Sequence, residues 1–122
     1  MNVALWVGQA MLAVVFGYSG ALKVSQSREK LLAMGQTGAA VFPLPVLRVT
    51  AFCELLGAVG VIVPWWTNVA RVLTPAAAGG FVVVMVGAIA AHARLREPRN
   101  VAATSFILLV AGFVTVGRAV GW

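Results

Sequence analysis

Glu54 is the only acid in the run "AFCELLGAVGVIVP" at 51–64, where every neighbour is apolar or small. A lone ionised carboxylate is costly in an apolar setting, so the group must be neutral, paired, or there for its chemistry. Two other groups of the right type fall near the ends of apolar runs, Lys23 and the single histidine, His92. A neutral acid beside a base is the arrangement that general acid/base catalysis requires, so Glu54, His92 and Lys23 are the candidate catalytic residues. Tyr18, Ser19, Thr50 and Met85 are the candidate substrate contacts. Each has a plainer reading. Glu54 pins helices through hydrogen bonds. His92 is an interfacial side chain beside "ARLRE" that caps its helix, Lys23 and Arg118 snorkel to the membrane surface, and Cys53 is a small packing residue. One histidine, one cysteine and three scattered acids offer too few ligands for a metal or haem, so no metal site is expected. No phosphate-binding loop, dinucleotide fingerprint or nucleophile elbow occurs.

The elements that must position these groups are membrane helices. Apolar residues make up 61% of the 122 positions and charged residues 10%, with a mean hydropathy of +0.99. Such values lie far from those of a soluble domain. Four apolar windows long enough to cross a bilayer run approximately over 3–24, 46–63, 72–92 and 101–120. The expected fold class is all-α, an integral membrane four-helix bundle with short loops, forming one transmembrane domain over 1–122. The first window lacks a basic flank and a small-residue cleavage site, so it is expected to be a retained helix rather than a signal peptide.

The net charge of +6 reads as topology, not as nucleic-acid affinity. Lys23, Arg28, Lys30, Arg48, Arg94, Arg96 and Arg99 gather on loops one and three, while Arg71 and Arg118 lie on the other side. The positive-inside rule then puts those two loops in the cytoplasm and both termini outside, in a plasma (inner) membrane. Trp6, Trp65, Trp66 and Trp122 suit the outer interface. In the long first loop, Leu31, Leu32 and Met34 predict a short interfacial helix ended by Gly35 and Gly38. Pro43 and Pro45 precede the second span, Pro64 is expected to end it, and Pro75 fits the first turn of the third.

Helical spacing aligns one polar-centred stripe on each span: Phe16, Ser19, Gly20 and Lys23; Thr50, Glu54, Gly57, Ala58 and Val61; Thr74, Phe81, Met85, Ala88 and His92; Thr104, Leu108, Ala111, Thr115 and Arg118. Polar residues inside a span face a bundle interior, so the four stripes predict a shared one. At about 1.5 Å per residue Glu54 lies roughly 12 Å from the end of its span, deeper than Lys23 and His92 and closer in depth to Tyr18 and Ser19. Lys23, His92, Tyr18 and Ser19 are therefore its candidate partners. The glycines at 17, 20, 57, 60, 79 and 80 suit close helix packing.

Three segments, "GALK" at 20–23, "CELLGAVGVIVP" at 53–64 and "MVGAIAAHARLRE" at 85–97, resemble the DoxX-like family of small four-helix membrane proteins. Gly20 and Lys23, then Glu54, Leu55, Gly57, Ala58 and Gly60, then Gly87, Ala88 and His92 carry the resemblance, with Pro64. It implies a link to membrane quinones, since the family takes its name from a subunit associated with quinol oxidation. Three functions follow as expectations. One is a quinone-linked oxidoreductase component, with the quinone as substrate, no cofactor bound by the chain itself, and electrons from a redox partner protein. Another is a self-contained acid/base enzyme on a small lipophilic substrate, an isomerase or an epoxide-opening hydrolase. The third is a noncatalytic scaffold or a carrier of lipids or small molecules. The lipid bilayer is the surrounding partner in all three, nucleic acid in none, and the Gly and Ala faces suit a homo-oligomer.

Overall fold

The computed structural model describes residues 2–121, which form helices joined by short turns, with no strand among the described residues. In chain order they are α1 (Asn2–Ser25), α2 (Arg28–Ala33), a 3-10 turn (Thr37–Ala40), α3 (Leu44–Gly60), α4 (Val63–Thr67), α5 (Leu73–Arg94) and α6 (Pro98–Ala119). Four segments among them are long and apolar enough to cross a membrane: α1, the α3–α4 stretch Leu44–Thr67, α5 and α6. Trp122, expected level with Trp6, lies outside the described residues.

The spans pack as two close pairs, α1 with α3 and α5 with α6, joined by looser seams between α1 and α6 and between α3 and α5. Leu12 and Phe16 of α1, Ala78, Phe81 and Met85 of α5, Ala111 and Val114 of α6, and Val61 form the central core. Large apolar side chains such as Val14, Phe52, Val83 and Leu109 point outward, as a lipid-facing surface requires. Cys53, expected to pack, is one of the outward residues.

Loop one is more ordered than its composition suggests. Ser27 caps α2 by accepting from the Lys30 N–H, and the Gln36 N–H returns to the Leu31 carbonyl around Gly35 at φ +88°. That is a Schellman stop, with glycine in the left-handed position. Leu31 is buried with Ala39 and Leu47, so α2 is anchored to the bundle as well as lying at its edge. Arg48 reaches the Lys23 carbonyl at 2.6 Å and closes the end of α1. α3 begins at Leu44, with Pro43 as its cap and Pro45 inside its first turn, rather than after both prolines.

The second span does not stop at Pro64. The helix breaks earlier, at Val61 and Ile62, and resumes as α4 with Pro64 in its first turn. Proline lacks an N–H and its ring crowds the carbonyl four residues back, so the regular ladder is interrupted before it. The freed carbonyls find side chains: Thr74 donates to Gly60 O at 3.1 Å and Gln9 to Val61 O at 2.8 Å.

Phe16 and Phe81 stack across the centre with centroids 3.9 Å apart and planes 4° from parallel. Gly57 makes that possible, because a Cβ there would stand 2.7 Å from the Phe81 ring. With Phe16 on its other face, the ring has nowhere to move. Gly57→Ala is therefore expected to destabilise the bundle by about 1–3 kcal/mol. Gly80→Ala, where a Cβ meets nothing within 4 Å, should be neutral or mildly stabilising. Thermal unfolding of both variants in one detergent decides it, and equal melting temperatures would contradict the packing argument.

Candidate functional site

Gly20 sets the geometry of the site. A Cβ at that position would lie 2.9 Å from the Ala51 carbonyl and 3.0 Å from Leu55 Cγ, so only glycine lets α1 and α3 approach so closely. Three residues further along α1, Lys23 then meets Glu54 of α3. Its Nζ donates to Glu54 Oε1 at 3.0 Å, and the carboxyl is fully enclosed while the lysine side chain keeps 19% of its exposure. Glu54 is thus paired, with Lys23 rather than with Tyr18 or His92. Its other oxygen, Oε2, is buried and has no hydrogen-bond partner among the described residues. The Ser19 hydroxyl stands beside the carboxyl without closing a bond to that oxygen. A buried acceptor without a partner is costly, and a donor brought up to it would relieve that cost.

Beside the pair lies a cavity of about 370 Å³ in the α1/α6 seam. Glu54, Lys23, Tyr18, Ser19, Met85 and His92 all line it, so six of the seven residues expected to form a site share one chamber. Tyr18 stands at its outer edge, 66% exposed and turned toward the lipid side. Thr50 lines instead a second cavity of about 460 Å³ in the α3/α5 seam. The two chambers meet at Lys23, Gln36, Ala88 and His92, which border both. Their remaining walls are largely apolar, from residues such as Val15 and Ile107 on one side and Leu47 and Phe42 on the other. Size, apolar walls and a few convergent polar groups are the usual features of a small-molecule site.

His92 is held by groups that sequence spacing did not single out. Its Nδ1 lies 2.8 Å from Glu97 Oε1 and 3.3 Å from Thr37 Oγ1, and the Thr37 hydroxyl donates to the same Glu97 oxygen at 2.7 Å. Backbone geometry explains the meeting. α5 ends with the Glu97 N–H bonded to the His92 carbonyl at 3.0 Å and Arg96 in the left-handed region at φ 57°. This turn carries the Glu97 side chain back over the ring. A non-glycine residue pays for that conformation, so the turn is held by its contacts. The hydrogen bonds from His92, then Thr37, hold the Glu97 carboxyl below its ordinary range. The stabilisation these bonds give is therefore present above the ordinary carboxylate value and lost as pH falls through the lower folded one. Glu97 was visible within "HARLRE", five residues after the histidine, but Thr37 is 55 positions away and gave no local signal.

The far end of the bundle holds a second polar cluster. Arg118, expected to snorkel outward, is buried and donates from Nε to Gln9 Oε1 at 2.8 Å. Its guanidinium lies 4.5 Å from the Trp65 ring centroid and 5.6 Å from that of Trp6, and Arg71 covers Trp65 at 4.0 Å. Gln9 thus ties Arg118 of α6 to the Val61 carbonyl at the break. Trp66 points outward, as an interfacial indole would.

Removing one member of a buried ion pair strands the other, at a cost of about 3 kcal/mol or more. Lys23→Met should accordingly lower stability markedly, and the double variant Lys23→Met/Glu54→Leu should regain most of the loss. Denaturant titration in mixed micelles compares them; a double variant no more stable than the single one would show that the pair is not coupled.

No curated protein and no solved structure matches the chain. The profile of the DoxX-like family matches residues 7–114, a stretch that takes in the second and third spans, most of the first and fourth, and the lining of both cavities. The chain is a member of the DoxX-like family of membrane proteins.

Proposed function

We propose that this DoxX-like membrane protein is a quinone-linked oxidoreductase component, taking the ring of a membrane quinone into the cavity beside Glu54. The single observation that carries the reading is the Lys23–Glu54 pair with Oε2 left over, walled by apolar side chains at a lipid-facing seam. A quinone matches such a space in its chemistry: an apolar ring bearing two oxygens, with a tail that remains in the bilayer. The Lys23 ammonium donates to a ring carbonyl, while Glu54 Oε2 accepts from a ring hydroxyl once the quinone is reduced. Reduction takes two electrons, delivered by a redox partner protein, and one proton onto each ring oxygen. The chain's part is to hold the ring and to exchange those protons.

The test is equilibrium binding of a short-chain benzoquinone and its quinol to the purified protein in lipid nanodiscs. Saturable binding is expected, weakened about tenfold or more in Glu54→Gln for the quinol, which loses a charge-assisted hydrogen bond. A ring hydrocarbon of the same size bound as tightly as the quinol would make the chamber a carrier of apolar molecules. Turnover of an epoxide or an isomerisable lipid by the protein alone would favour the acid/base enzyme instead.

The crowding of Lys23, Arg28, Lys30, Arg48, Arg94, Arg96 and Arg99 onto one end supports an orientation with that end on the cytoplasmic side of a plasma (inner) membrane. Both chambers would then open near the cytoplasmic face. In a Cys53→Ser background, an impermeant thiol reagent added outside intact cells should label Val69→Cys and spare Glu29→Cys. The reverse pattern would invert the topology.

A further inference from the structure

We infer that Glu97 is the positioning residue of a Glu97–His92 dyad, which fixes the imidazole as its Nδ1–H form and leaves Nε2 as the proton acceptor facing the chambers. The role assigned to Nε2 at a ligand rests on the quinone reading above; the dyad itself does not.

Three observations converge on it. Nδ1 is committed, lying 2.8 Å from a Glu97 oxygen, and a carboxylate accepts only, so the ring nitrogen facing it carries the hydrogen. The Thr37 hydroxyl spends its hydrogen on the same carboxylate oxygen at 2.7 Å, which leaves only its lone pairs toward Nδ1. Both neighbours therefore demand Nδ1–H. The ring's other nitrogen has no hydrogen-bond partner among the described residues, while His92 borders both chambers. Which nitrogen bears the proton is set by the bond the other makes.

The backbone agrees with this assignment. Arg96 holds a left-handed conformation with no glycine to ease it, and the consequence is that Glu97 folds back onto the ring. Strain retained at a turn that aims a carboxylate at a cavity-lining histidine fits a positioning task. Thr37 brings the loop between α2 and α3 into the same contact, so the dyad is supported from α5, from the start of α6 and from loop one.

The chemistry that follows is one proton transfer. A ligand hydroxyl in the chamber gives its proton to Nε2, the O–H bond breaking as N–H forms, and the ring becomes a cation whose Nδ1–H still faces the Glu97 carboxylate. In the other direction the same nitrogen returns the proton to a ligand oxygen. The electrons are those exchanged with the redox partner. Charged groups around the ring are Glu97 from the turn, with Lys23 of α1 and Glu54 of α3 across the shared wall. Glu97 keeps a quarter of its side-chain exposure, so the dyad also touches water.

Because the chain has one histidine, ¹⁵N-histidine labelling gives a spectrum of this ring alone. In lipid nanodiscs, under conditions where the ring is neutral, the wild type should show a protonated Nδ1 and a bare Nε2. Glu97→Gln, which keeps an acceptor, should preserve that form, whereas Glu97→Leu should move most of the ring to Nε2–H. Thr37→Val, a gentler change, should leave Nδ1–H dominant. A wild-type ring in the Nε2–H form, or a folded Glu97→Leu protein with an unchanged spectrum, would overturn the dyad. Adding a short-chain benzoquinol should then shift the Nε2 resonance; binding without that shift overturns the role of Nε2 at the ligand. No quinol binding at all would bring down the quinone reading and that role with it, while the tautomer result still decides the dyad.

Discussion

Burying Glu54 is the constraint around which the rest of this bundle is arranged. A carboxylate at that depth requires a cation, and the cation can reach it only if α1 and α3 lie close together. Gly20 supplies the closeness, Arg48 closes the end of α1 beside it, and Lys23 delivers the charge. With α1 and α3 drawn into one tight pair and α5 and α6 into another, the seams between pairs are the places left for cavities. The ion pair and the empty space beside it are thus two results of one packing decision.

The opposite end solves a different problem by similar means. Pro64 interrupts the second span, and the carbonyls it frees sit inside the bundle, where water cannot serve them. Thr74 and Gln9 reach in to satisfy them, and Gln9 then draws Arg118 inward between two tryptophans. This end is cross-linked by hydrogen bonds and ring contacts among its own residues. The Lys23 and His92 end retains a buried acceptor, a half-committed imidazole and two chambers. Between the ends, the Phe16–Phe81 stack and the aliphatic side chains around it fill the centre. The two cavities thus lie at one end, and the network of hydrogen bonds and ring contacts around Arg118 at the other.

Much of the fold was legible in the amino-acid sequence because its cause is local. Apolar windows of membrane-crossing length must become helices, since no other open structure satisfies its own backbone in lipid. The stripes at helical spacing named Phe16, Gly20, Glu54, Phe81, Met85, Ala111 and Arg118, all of them buried in the bundle. Glu54 announced itself as an acid in an apolar run, and Lys23 lies within reach of it because both sit on inward faces near one end.

What the tertiary structure alone decided depends on contacts between residues far apart in the chain. The partner of Glu54 among several candidates was settled by the α1–α3 approach at Gly20, which no helix period encodes. Thr37 meets His92 and Glu97 only because loop one folds back under α2, and Glu97 joins them through a left-handed residue that carries no glycine to signal it. Gln9 has its role only in the folded bundle, where a helix break 52 positions away gives it a carbonyl to serve. Composition and period determine which faces turn inward; which inward groups touch is determined by how closely each pair of helices can approach, and that is a property of the assembled bundle.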